Sequence, residues 1–382
     1  MATWMAGGTV LTLGGRVAGG HVEIVDGRVA GVGAGAGAPA PGDEVIDAEG
    51  LFVAPGFVDT HIHGIGGFDA MAGEAGVRGM ARELAKHGVT AFLPTLASAP
   101  PPELAGLVAE IAPLKTAGAR MAGLHLEGPF LDPRAPGMFA PEDFRPFDVD
   151  ELEALVKAGD GALQLMTLAC QGARADALAR IIMAGIVPSL GHAAGTYAEA
   201  KRAIEHGLAR CTHCFNAMTG MHHREPGIAG AMLEHDAVTA ELILDGIHVH
   251  PAMARLLFER KGAEGVALVS DAMPFAGRGE GAFDWRGYQI TVAGGAARIP
   301  TGNLAGSVLM LDGAVRNAVE YLDVPPELAV EMASLTPARS AGLEDEHGKL
   351  EPGRRADVVL LDAELQPVRT LVGGTTVWAA GI

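Results

Sequence analysis

The stretch LFVAPGFVDTHIHG, residues 51–64, decides the fold. An apolar, strand-like run closes on two histidines one residue apart, His61 and His63. Residues i and i+2 of a strand share a face, so both imidazoles point to one spot at the strand's C-terminal end. Asp59 belongs to the same alternation, and Gly56 and Gly64 loosen the backbone on either side. A surface strand can carry such a pair by accident. Here the partners a metal-binding pair needs all arrive at the ends of other apolar runs.

Those runs fall at 90–95 (TAFLPT), 121–127 (MAGLHLE), 163–168 (LQLMTL), 186–190 (IVPSL), 209–212, 238–244 (VTAELIL) and 265–270 (GVALVS). Helical patterns intervene. Residues 74–87 carry Val77, Met80, Ala81, Leu84 and Ala85 on one stripe, and 196–207 and 251–261 are comparable. Counting 51–60 as the first, eight strands with crossover helices predict an α/β protein built on a (β/α)8 TIM-like barrel over residues 55–349. A doubly wound sheet is the competing architecture. The ends of the chain read as short strands, with Asp26-Gly27 turning a hairpin and ADVVLLD (356–362) and 368–382 supplying further strands. Residues 1–54 plus 350–382 are therefore expected to build one composite β-sandwich, reached from the barrel through helices at 308–321 and 326–334.

The 382 residues carry a formal net charge of −18, which argues against nucleic acid or an anionic membrane as bulk partners. A small anionic substrate needs only one local basic group. With 54 glycines, 23 prolines and no long low-complexity tract, the chain reads as turn-rich and closely packed rather than disordered. Cys170, Cys211 and Cys214 are too few for a disulfide scaffold, and the C-x-x-C they include has no second pair. No apolar run reaches 18 residues and no basic segment precedes an apolar one at the start. The expectation is a cytoplasmic protein.

Groups able to hold a metal cluster at the C-terminal ends of the expected strands. His61 and His63 close the first, His125 and Glu127 the third, His192 follows the fifth, His213 the sixth and Asp271 the eighth. On a barrel these ends ring one mouth, where chemistry is found. Glu127, His192 and His213 form the expected primary set, because two imidazoles and a carboxylate hold a divalent ion and leave a position for water. Asp271 suits the general base and later acid. His61 and His63 either hold a second ion or shape the first site. Zn2+ or Fe2+ leads, with Co2+ and Mn2+ compatible with the same donors. His21, His87, His206, His235 and His347 read as ordinary surface residues.

The chain resembles the amidohydrolase superfamily and, within it, the N-acetylglucosamine-6-phosphate deacetylases. The resemblance rests on PGFVDTHIHG (55–64), HLEGPF (125–130), GHAAGTY (191–197), THCFNAM (212–218), REPG (224–227), LILDGIHV (242–249), VSDAM (269–273), LAGSVLML (304–311) and GKLEPGRRADVVLLD (348–362). It implies metal ligation by Glu127, His192 and His213 and an acid–base role for Asp271. It also implies a sugar phosphate held by Asn216, the backbone at Ala217, Arg224, and His248 contributed by the other subunit of a homodimer. Two departures stand out. The family commonly has Gly-Ala-His in the loop after HLEGPF, its histidine polarising the acetyl carbonyl, whereas Met138 lies near that place here and a thioether cannot donate. After the fourth strand the family often reads Ala-Pro-Glu, and this chain has Ala169-Cys170-Gln171.

The implied reaction is hydrolysis of the amide of an N-acetylated amino-sugar phosphate, with N-acetylglucosamine and N-acetylgalactosamine phosphates both in scope. An amidohydrolase of another N-acyl or cyclic amide is the alternative. Many such enzymes bridge two metals with a carboxylated lysine at the end of strand four, and residues 163–171 contain no lysine. A barrel kept only as a scaffold should have lost ligands or base, and all are present.

Overall fold

In the computed structural model, which describes residues 1–13 and 15–381, every residue of the strand Phe57–Ile62 is buried, as is every residue of Val89–Ala97. Strands covered on both faces carry near-continuous apolar runs, the signature of a parallel sheet enclosed by helices. Phe57–Ile62 pairs in parallel with Val89–Ala97, which pairs with Leu124–Glu127. The order continues through Leu163–Leu168, Val187–Leu190, Arg210–Cys211, Thr239–Leu242 and Val266–Leu268, each parallel to the last. Strand order follows chain order without reversal, which excludes the doubly wound sheet. The eighth strand returns to the first through Asp271, whose N–H donates to the His61 carbonyl at 2.9 Å. The Ser270 N–H adds a bond to Asp59 Oδ1 at 3.3 Å. The result is a nearly closed (β/α)8 barrel.

Its helices bury one stripe each. Gly73–Ala85 turns Val77, Met80, Ala81, Leu84 and Ala85 inward, as the sequence predicts. The helix expected over 251–261 runs as Pro251–Gly265, but Gly262 breaks it with φ 65° close to the expected end. Thr196 caps Tyr197–Glu205 in a reciprocal box with Glu199. The expected 308–321 begins later, as Leu311–Leu322, and Pro326–Ala333 is followed by a further short helix, Leu335–Ser340.

The terminal segments form one hydrogen-bonded path of strands. Thr375–Ala379, Pro367–Val372 and Val358–Leu361 lead to Phe52–Pro55, then Thr3–Thr12, Gly15–Val25 and Arg28–Ala34. Asp26 (φ 50°) and Gly27 (φ 74°) make the expected tight hairpin turn, since a turn with positive φ at both positions matches the twist of its strands. The path curls so that its last strand meets the segment just before Val358–Leu361, the Val29 N–H donating to the Arg354 carbonyl. It encloses its own core of Met5, Val22, Ile24, Val53, Val358 and Leu371. His347, read from sequence as a surface residue, is buried beside this sheet with Nδ1 3.0 Å from Asp357.

A further element lay outside the expected pattern. A three-stranded antiparallel sheet, Gly281–Trp285, Tyr288–Ala293 and Ala296–Arg298, leaves the barrel after its eighth strand. It is tied to the loop after the first strand by Trp285 Nε1–H donating to Asp69 Oδ2 at 2.7 Å. Among the described residues no helix is long and apolar enough to cross a membrane.

Candidate metal centre

Six side chains from five strand ends meet inside the mouth. His61, His63 and Asp271 bring their ligand atoms within 4.8 Å of one another, and Glu127, His192 and His213 do the same. The two trios adjoin through Glu127. His192 Nε2 and His213 Nε2 each lie 3.1 Å from Glu127 Oε1, and His63 Nε2 lies 3.1 Å from Oε2. His61 Nε2 is 3.5 Å from Glu127 and 3.4 Å from Asp271, with His63 Nε2 3.5 Å from Asp271.

The backbone is bent to achieve this. His192 (φ 43°), His213 (φ 30°) and Asp271 (φ 46°) all sit in the left-handed region, at a cost of order 1–3 kcal/mol each. Such a bend turns a side chain from the strand wall into the mouth. Each position is pinned: the His192 carbonyl accepts from Asp132 N–H, and the His213 N–H donates to Glu241 Oε2 at 3.0 Å. Asp132 in turn accepts from Arg134 and Gln171 and sits at a pKa of about 2, where these bonds outweigh the effect of burial. Gly64 serves by absence of a side chain, because a Cβ there would stand 2.6 Å from Pro274 in the loop after the eighth strand.

In three of the four ligand histidines the ring nitrogen facing outward from the centre is anchored, which fixes the one facing in. Nδ1 of His192 lies 2.9 Å from the Ala135 carbonyl and Nδ1 of His63 3.1 Å from that of Thr95. His61 Nδ1 lies 2.8 Å from Glu241 Oε2, and Glu241 is itself paired with the fully buried Arg210. These three Nε2 atoms converge with that of His213, whose Nδ1 is buried without a partner. His61 Nε2 and Glu127 Oε2 are buried without a hydrogen-bond partner, an expensive arrangement unless a cation completes it. Two imidazole-plus-carboxylate trios with orphaned atoms aimed inward fit one or two divalent ions per chain.

The charges agree. Burial would keep His61 neutral, but Asp271, Glu241 and Glu127 together push its pKa well up. Glu127 is pulled well below the carboxylate range, burial notwithstanding, by His192 and His61. A proton or a cation is what this cluster stabilises. His125 stands apart: it bonds Thr95 and Thr167 below the centre, and burial drives its pKa well down. It packs edge-on against His61, with ring centroids 4.8 Å apart, as a neutral spacer.

The profile of the Amidohydrolase family matches residues 52–377. The chain belongs to the amidohydrolase family. The N-acetylgalactosamine-6-phosphate deacetylase of Escherichia coli is 36% identical over 359 residues, 93% of either chain. The human N-acetylglucosamine-6-phosphate deacetylase is 38% identical over 356 residues, covering 88% of this chain and 86% of the human one. Among solved structures, an aspartate-to-alanine variant of the N-acetyl-D-glucosamine-6-phosphate deacetylase of Mycobacterium smegmatis, in complex with N-acetyl-D-glucosamine-6-phosphate, superposes with a TM-score of 0.90 at 34% identity over 99% of both chains.

In this amidohydrolase the cavity over the metal centre is walled by Asn216, Ala217, His248, Met138, Phe139 and Met273. Asn216 and Ala217 follow His213 in a bent loop, with Ala217 at φ 48° and its carbonyl accepting from Ala193 N–H. His248 lines its own chain's cavity, Nδ1 held 2.6 Å from Asp245, where the resemblance implies a group reaching across to a neighbour. Arg224 is not in the wall; it lies in an exposed loop with its guanidinium 2.7 Å from His223. Met138 is buried in the wall, but the side chain against the imidazoles is its neighbour Phe139. That ring sits 5.5 Å from His192 and 6.1 Å from His63, centroid to centroid. Sequence reading missed Phe139, the Glu241–Arg210 pair and Trp285. Only the pair left a signal, an acid and a base inside apolar runs.

Proposed function

We propose that this amidohydrolase removes the acetyl group from an N-acetylated amino-sugar 6-phosphate, yielding the free amino-sugar phosphate and acetate. The observation that carries the reading is the pair of ligand trios with Asp271 at their edge, its side chain only 10% exposed yet open to the cavity. A divalent ion held by Glu127, His192 and His213 supplies, when bound, a Lewis acid for the carbonyl and a lowered pKa for water. A second position is offered by His61, His63 and Asp271. Zn2+ and Fe2+ are the leading occupants.

The chain's own groups do the rest. Asp271 takes the proton of the attacking water and returns it to the amine nitrogen as the C–N bond breaks. Phe139 and Met138 keep the acyl side apolar and offer no hydrogen bond to the carbonyl, which leaves its polarisation to the ion. Asn216, the Ala217 backbone and His248 also line the cavity and suit the sugar phosphate. Arg224, exposed and off the wall, is supplied to the site by a second copy of the chain in a homodimer, where its planar fork meets phosphate oxygens. In so acidic a protein that local cation lets a dianion approach. The setting is the cytoplasm, in amino-sugar breakdown or recycling.

The test is steady-state kinetics on Zn2+- or Fe2+-reconstituted protein with N-acetylglucosamine 6-phosphate, N-acetylgalactosamine 6-phosphate and both unphosphorylated sugars. Metal-dependent acetate release, far faster with phosphate than without, is expected. The galactosamine arm is warranted by the E. coli relative. Release that survives complete metal removal, or that ignores the phosphate, defeats the reading.

A further inference from the structure

Beneath the metal centre lies a buried chain of charge. Arg210, Glu241 and His61 are all fully buried. Glu241 Oε1 receives Arg210 Nε–H at 3.0 Å. Its other oxygen, Oε2, lies 2.8 Å from His61 Nδ1 and accepts the His213 backbone N–H at 3.0 Å. The guanidinium also donates to the hydroxyls of Thr60 and Ser340. One carboxylate oxygen thus holds one residue from each ligand trio.

A buried ion pair is a poor stabiliser, because desolvation consumes most of its Coulomb energy and apolar residues of like size serve as well. The pair's geometry does something an apolar core cannot. An imidazole whose Nδ1–H is given to a carboxylate has only Nε2 left as a lone-pair donor. In His61 that nitrogen is orphaned and aimed at Asp271 and Glu127.

We propose that Glu241 is a positioning residue, anchored by Arg210, which fixes His61 as an Nε2 ligand and thereby creates the cation position of His61, His63 and Asp271. This rests on the two-position reading given above. Arg210 sets where the carboxylate points; Glu241 sets which ring nitrogen faces the ion.

The experiment compares wild type, Arg210→Met/Glu241→Leu and Arg210→Met/Glu241→Gln. Removing both charges together leaves no unpaired ion, so cooperative thermal unfolding is expected of both variants. Zn2+ uptake is read by elemental analysis after equilibrium dialysis and by competition with a chromophoric chelator. Wild type should hold two equivalents. The leucine variant should bind the second roughly 10–100-fold more weakly, and the glutamine variant, which keeps an oxygen acceptor for His61, should recover most of that loss. Two tight equivalents in the leucine variant overturn the positioning role, as do equal losses in both variants, which would mean that charge alone matters. A wild-type chain with a single equivalent overturns the two-position reading and this proposal with it. Should the variants not fold, histidine 15N spectra of the Zn2+-loaded wild type decide: a proton on His61 Nδ1 is expected, and one on Nε2 refutes the assignment.

Discussion

Asp271 touches the His61–His63 trio and the cavity but belongs to no contact with His192 or His213 in the primary set. Asp271→Asn should therefore retain the ion at Glu127, His192 and His213, as elemental analysis would show, while kcat falls by ~10²–10⁴. Near-normal turnover in a metal-loaded preparation would remove Asp271 from the proton path. Asp59 tells a different story from the same strand. Burial pushes its carboxyl up to about 6, although Ser270 and the His61 N–H bond to it, and Oδ2 has no partner. A carboxyl raised on folding binds its proton more tightly in the native state. Its contribution is complete below the unfolded value near 4 and is lost as pH rises through about 6. Asp59→Asn should accordingly raise the melting temperature of the metal-free chain at pH 8 relative to wild type, with little change at pH 4. Equal shifts at both pH values would show that the ionised form is not what costs stability.

At the scale of elements, two helical glycines behave oppositely because their surroundings differ. Gly106 lies exposed within Pro101–Ile111, with nothing within 4 Å of where a Cβ would stand. Gly106→Ala should stabilise the protein by roughly 0.5–1 kcal/mol through lost unfolded-state freedom. Gly76 is buried in Gly73–Ala85, and a Cβ there would lie 1.8 Å from the Asp69 carbonyl oxygen. Gly76→Ala should cost ~1–3 kcal/mol. Asp69 also holds Trp285, so the three-stranded sheet should loosen with it. Urea midpoints check both, and a change of the same sign in the two variants would contradict the packing argument.

For the whole molecule, the proposed homodimer is tested at Arg224, which is exposed and does not line the cavity. Arg224→Ala should cut kcat/KM on the phosphorylated sugar strongly and matter far less without phosphate. Mixing inactive Asp271→Asn chains with Arg224→Ala chains should restore activity, because one site per heterodimer has its own Asp271 and a neighbour's Arg224. Verified heterodimers without recovery would place Arg224 in its own chain's site or in none.

The sequence by itself determined the barrel and the candidate ligand set. Period-two alternation ending in His-x-His, and apolar runs ending in Glu127, His192, His213 and Asp271, are local facts that the strand order then gathers at one mouth. Only the tertiary structure decided what lies between those ends. Phe139 reaches the imidazoles because its loop folds over the mouth, and no periodicity announces a loop. His248 lines its own cavity, a matter of chain trace that resemblance cannot settle. Arg210 and Glu241 sit 31 residues apart on adjacent parallel strands. Their charges could be buried only because the barrel brings each to the other and Glu241 to His61, and that cancellation is a property of the closed fold rather than of either strand.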